Sequence, residues 1–135
     1  MLHTIGLWLA ANFDLPVAEP PALVVVPATQ LVAMRYGAEA AASSHEVLGV
    51  YDQTRNTIYL TAGWTGHTPA ELSMLVHEMV HHLQSAAGMR FACPGEREAL
   101  AYRAQDDWLG LFGMDFESTF GIDAATLLVA TVCTH

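Results

Sequence analysis

Two histidines and a glutamate at helical spacing, His77-Glu78-Met79-Val80-His81, carry the most specific chemistry in this chain. On a helix, residues i and i+4 share one face a turn apart, so both imidazoles can reach a single ion. Glu78 is rotated from His77 by roughly 100°, the angular step of a helix with 3.6 residues per turn. It therefore flanks the ion instead of binding it, where it can take a proton from a metal-bound water. The competing reading is coincidence, with histidines on a helix satisfied by ordinary core hydrogen bonds. The neighbours weigh against that. Leu72, Leu75, Val76, Met79, Val80 and Leu83 form a broad apolar face around the motif. Burying so many ionisable groups there is costly unless something pairs them.

A catalytic zinc needs a third protein ligand and an open position. The metzincin pattern would place a glycine three residues after the second histidine and a histidine three further on. Those positions hold Gln84 and Ala87, which excludes it. No histidine lies between His82 and His135, and no aspartate follows the motif before Asp106. The acidic residues in that stretch are Glu96 and Glu98. Glu98 is preferred, one turn inside the next helix with Ala99 beside it and Tyr102 and Gln105 on the same face. Glu96, in the first turn, has an alternative role at the positive end of the helix dipole. His82 points about 100° away from His81 and suits a supporting or surface role better than ligation.

These groups need a frame. Thr68-Pro69-Ala70-Glu71 is a capping box with proline at the first helical position, so a helix starts there and runs on to Gly88. Another begins near Cys93-Pro94 and continues through Trp108 to Gly110. Upstream, Leu2, Ile5, Leu9 and Phe13 have helical spacing that ends before Pro16. Leu15 to Pro21 is a proline-rich connector. Ala22 to Val26 reads as a buried strand, and Pro27 opens a helix that stops at Gly37. Ala38 to Ser44 is a loop of small residues. Val47 to Tyr51 and Thr57 to Leu60 flank the polar turn Asp52 to Asn56 as a hairpin. Asp123 caps a last short helix reaching Val132. The predicted class is α+β: one domain over residues 1–135, with a small mixed sheet of about three or more strands backed by helices.

Composition limits the partners. Of 135 residues, 53% are hydrophobic and 14% are charged, which rules out intrinsic disorder. The apolar runs are too short for a membrane span. Fourteen acidic residues face five basic ones, all arginine, for a net charge of −9. That excludes a phosphate-neutralising patch for nucleic acid, and the absence of lysine excludes Schiff-base and P-loop chemistry. Met1 to Ala11 has no basic n-region and does not read as a secretory signal. Cys93 and Cys133 form a disulfide if the protein is exported to the periplasm or beyond, and are buried thiols if it is cytoplasmic.

His77-Glu78-Met79-Val80-His81 followed by Glu98-Ala99 on a second helix resembles the gluzincins, the thermolysin-type zinc metallopeptidases. More closely, the chain is similar to small bacterial zincin-like domains of unassigned function. The match covers residues 57–105. The resemblance implies a zincin-like fold, zinc held by His77, His81 and Glu98, and a peptide or protein substrate cleaved with Glu78 as general base. It also implies that Thr57 to Leu60 is the edge strand that pairs with extended substrate, with Ala62 to Trp64 along the cleft. Many gluzincins stabilise the oxyanion with a histidine or tyrosine from a large C-terminal domain, for which residues 1–135 show no counterpart. Tyr102 and His67 are the nearest candidates, against the plainer roles of a packed helix tyrosine and an exposed loop residue. Two rivals share the motif: a zinc-binding interaction domain without peptidase activity, and an amidase acting on cell-wall peptides.

Overall fold

Leu2, Ile5, Leu9 and Phe13 line one side of the first helix, α1 (Leu2–Phe13), with Ile5 and Leu9 fully inside. In the computed structural model, residues 1–36 and 49–133 are described. The expected helix stop at Gly37, the loop 38–44, His45, the first residues of the 47–51 strand and His135 lie outside them. After α1 come β1 (Ala22–Val26), α2 (Ala28–Tyr36), β2 (Gly49–Asp52) and β3 (Thr57–Thr61). The helices α3 (Pro69–Ala86), α4 (Pro94–Gly110), α5 (Phe116–Phe120) and α6 (Ala124–Thr131) complete the order. Among the described residues this is an α+β fold of six helices and one three-stranded mixed sheet.

The strand order is β1-β3-β2. β1 runs parallel to β3, from Ala22 opposite Thr57 to Val26 opposite Thr61. β2 runs antiparallel to β3, from Gly49 opposite Leu60 to Asp52 opposite Thr57. The hairpin turn closes as its polar residues suggest: Asp52 Oδ1 accepts the N–H groups of Thr54 (3.0 Å) and Arg55 (3.2 Å). Two expectations are corrected. Thr57 to Leu60 is not an edge strand but the central one, buried along its whole length because alternate residues meet apolar layers on both faces. Ala22 to Val26 is not a buried strand; it is an edge, with Val24 and Val25 41% and 48% exposed.

Side-chain alternation on β3 assigns the layers. Ile58 and Leu60 enter the main core with Leu9 of α1, Leu75 and Val80 of α3 and Ala101 of α4. Tyr59 faces the other way, into a smaller cluster with Val26 and Leu31 of α2. The sheet is thus covered by α2 on one face and by α1, α3 and α4 on the other.

Helix α3 starts where the capping box predicts, with Thr68 Oγ1 accepting the Glu71 N–H at 3.1 Å. The reciprocal arm differs. The Glu71 carboxylate accepts from Thr65 N (2.9 Å) and Thr65 Oγ1 (2.7 Å), drawing the preceding loop onto the helix. Trp64 joins it by donating Nε1–H to the Glu71 carbonyl at 2.7 Å. At the other end, a disulfide joins Cys93, the N-cap of α4, to Cys133, with Cα atoms 5.8 Å apart. Asp123 caps α6 by accepting the Thr126 N–H at 2.8 Å. Helix α5 has no counterpart in the sequence reading. It is a single short helix between the Asp115 cap and Gly121, whose φ of 68° suits a residue without Cβ. No described helix is long and apolar enough to cross a membrane.

Candidate metal centre

The two buried faces of α3 and α4 meet at the motif. His77, Glu78 and His81, together with Glu98 from α4, are each between 4% and 8% exposed. Glu98 Oε2 lies 2.9 Å from His81 Nε2 and 3.3 Å from His77 Nε2, and Glu98 Oε1 lies 3.1 Å from His81 Nε2. Glu78 Oε2 stands to one side, 3.9 Å from His77 Nε2. Potential ligand atoms of His77, Glu78 and His81 all lie within 4.8 Å of one another. The fold thus brings together His77, His81 and Glu98, with Glu78 on their flank. Glu96 stays outside, where its carboxylate accepts the Ala92 N–H at 3.0 Å.

A chain of hydrogen bonds orients both imidazoles. Ser73 donates its hydroxyl to the Ala70 carbonyl (2.7 Å), leaving its oxygen to accept from Gln105 Nε2 (3.2 Å). Gln105 therefore turns its carbonyl oxygen to His77 Nδ1, at 3.0 Å. On the other ring, Gln84 Nε2 donates to the Arg97 carbonyl (3.2 Å), which turns Gln84 Oε1 to His81 Nδ1 at 3.0 Å. An amide oxygen only accepts, so both rings carry a proton on Nδ1 and direct Nε2 at Glu98. Two imidazole Nε2 atoms and a carboxylate then converge, an arrangement that a shared proton or a metal ion would bridge. The donor set suits a divalent ion such as zinc, for which two histidines and a glutamate form an open three-ligand site.

The electrostatics of the cluster's own side chains follow the same logic. Burial alone would push His77 down, but the Glu78 and Glu98 carboxylates outweigh it and hold the imidazole pKa above its ordinary value. Burial alone would push Glu98 up. Its hydrogen bonds and charge interactions with His77 and His81 prevail and hold the carboxyl well below the usual carboxylate range.

A family model described as Domain of unknown function (DUF6647) matches residues 1–135. The chain belongs to this family. No curated protein and no solved structure matches it.

Around the cluster, this DUF6647 domain sorts the remaining candidates. The Tyr102 ring packs edge-on to His77 with centroids 4.7 Å apart, and touches Phe116 on its far side at 5.4 Å. His67 is exposed in the loop ahead of α3, its backbone N–H bonded to Thr65 Oγ1 at 3.2 Å. His77 lies nine residues beyond the α3 cap, roughly 13 Å along the axis at 1.5 Å per residue. His82 is buried and has partners of its own. Its Nε2–H donates to the Glu19 carbonyl at 2.7 Å, and its Nδ1 meets the Tyr51 hydroxyl at 3.1 Å. Trp64 is half-buried against the first turn of α3.

Two features escaped the sequence reading. Gln84 and Gln105 hold the histidines; the signals were Gln84 three residues after His81, and Gln105 on the face of α4 that carries Glu98. The other is Gly49. A Cβ there would lie 3.1 Å from Glu78 Cγ and 3.4 Å from Glu78 Oε2, so the bare backbone of β2 makes room for the Glu78 side chain.

Proposed function

We propose that this domain is a zinc-dependent hydrolase of peptide bonds, in which His77, His81 and Glu98 hold the ion and Glu78 is the general base. The observation that carries the reading is the convergence of both Nε2 atoms on Glu98 Oε2, with Glu78 alongside. A divalent ion bound there supplies Lewis acidity, polarising a carbonyl and lowering the pKa of water towards ~7. The Glu78 carboxylate takes the proton of the attacking water and passes it to the departing amine, serving first as base and then as acid. The packing of Glu78 beside Gly49 favours an extended peptide as substrate. β2 is an edge of the sheet among the described residues, and a peptide added along it would pass close to Glu78.

This reading takes the sheet with α3 packed beneath it as a zincin-like fold. Here the strand beside the site is β2, in place of the 57–60 strand. Tyr102 is the nearer of the two oxyanion candidates, its ring in contact with a ligand imidazole. The Cys93–Cys133 disulfide fits an exported protein, since such bonds persist in oxidising compartments.

The decisive variant is Glu78→Gln, which keeps the shape of the side chain but cannot accept the proton. It is expected to retain zinc at the wild-type level, measured by mass spectrometry. Cleavage of a peptide library should fall by about 10²–10⁴-fold, the usual contribution of a general base. Equal turnover in wild type and variant would refute the mechanism.

A further inference from the structure

Gln84 and Gln105 do more than fill space beside the histidines. Each is an amide with its far end anchored: Gln84 Nε2 on the Arg97 carbonyl, Gln105 Nε2 on the Ser73 hydroxyl. An unanchored amide is free to flip, presenting its NH₂ group to Nδ1 and selecting the opposite tautomer. A ring with its proton on Nε2 cannot ligate through Nε2. The anchors forbid that flip. Arg97 offers only a carbonyl oxygen, and the Ser73 hydroxyl proton is already committed to Ala70. Both amides are also almost fully buried, so water does not compete for the imidazole N–H groups.

We infer that Gln84 and Gln105 are positioning residues that set metal affinity by holding both imidazoles in the Nδ1–H form. This rests on the cluster being a metal centre. The two amides act from different elements. Gln84 couples His81 to the first turns of α4, close to the disulfide at Cys93, whereas Gln105 couples His77 to the N-terminal half of α3 through Ser73.

The test uses the full chain and zinc alone. Zinc affinity is measured by competition with a chromophoric chelator for wild type, Gln84→Met and Gln105→Met. Imidazole N–H protons are followed by ¹H–¹⁵N spectra of the zinc-loaded proteins. Each methionine variant preserves side-chain length and is expected to bind zinc about 10–100-fold more weakly, the usual effect of removing a ligand's hydrogen-bond partner. Each should also lose the protected Nδ1–H signal of the ring it faces.

Wild type that takes up no zinc overturns the metal centre and this inference with it. Zinc binding that is equal in wild type and both methionine variants overturns the inference alone. Weaker binding with the Nδ1–H signals intact assigns the loss to packing and also overturns it. If a variant does not fold, zinc-loaded wild type lacking two protected Nδ1–H protons is sufficient to refute it.

Discussion

At the residue scale, four ionisable groups share one buried site, and their mutual charges decide its behaviour when no metal is bound. His77 is held above its ordinary pKa, so the stability it contributes is complete below the unfolded value of ~6.5 and is lost as pH rises through the folded value. Glu98 is held below its ordinary range, so its contribution is complete above ~4.3 and is lost as pH falls towards the folded value. Protein stripped with a chelator should therefore be most stable between about pH 4.3 and 6.5 and weaken on both sides. In Glu98→Gln the acid limb should shrink, and the alkaline limb with it, because His77 loses one of its two carboxylate partners. Urea midpoints across that range check this, and stability that climbs steadily above pH ~6.5 in stripped wild type would contradict it. The residues of this cluster were legible because helical spacing is local: i, i+4 and the choice of Glu98 over Glu96 need no tertiary knowledge. The role of the amides was not, because spacing alone does not distinguish a glutamine that orients an imidazole from one that faces solvent. Gln84 entered the sequence argument only as the residue that is not a glycine.

At the element scale, the helices and strands were legible wherever capping and periodicity agree. Thr68 and Asp123 cap α3 and α6 as their sequences suggest, and the polar turn at Asp52 closes the hairpin. Strand order was not legible, because pairing is non-local: β1 and β2 are both short and apolar, and nothing local says which lies beside α3. What settles it is a close approach at Gly49 and the Tyr51–His82 contact, both of which tie β2 to α3. Helix α5 was missed because five residues are too few to show a period. The disulfide belongs to this scale too. Helix α6 has no buried residue, yet its C-terminal backbone sits so close to α4 that a Cβ on Gly95 would lie 2.8 Å from the Ala130 carbonyl oxygen. Such a helix is held chiefly by its cap, that backbone contact and the bond between Cys93 and Cys133. The bridge spans a sequence separation of 40, and Cys133→Ser should lower the unfolding free energy by about 2–4 kcal/mol in the chain-entropy account. Denaturant curves with and without reductant test it. Wild type and variant should coincide once reduced, and an unchanged midpoint in the oxidised pair would show that α6 holds without the bridge.

At the scale of the whole molecule, the site is also a structural joint. α3 and α4 meet through Glu98 and through Gln105, and both contacts end on the histidines that would hold an ion. Zinc that binds there should stabilise the entire fold, because the unfolded chain does not assemble three ligands drawn from two helices. Linkage gives the size: about 2.7 kcal/mol when free zinc is one hundred times the dissociation constant. For a chain of this length that corresponds to a rise in Tm of roughly 5–15 °C. Calorimetry of wild type with zinc and with excess chelator should show that separation, and Glu98→Ala should abolish it while leaving a cooperative transition. Glu78→Gln should keep the zinc-dependent rise, because Glu78 flanks the ligands without completing the set. That contrast separates the roles at the level of the whole fold: a residue needed to hold the ion couples metal to stability, whereas one needed only for chemistry does not. If Glu78→Gln lost the rise and Glu98→Ala kept it, the assignment of ligand and base would be reversed.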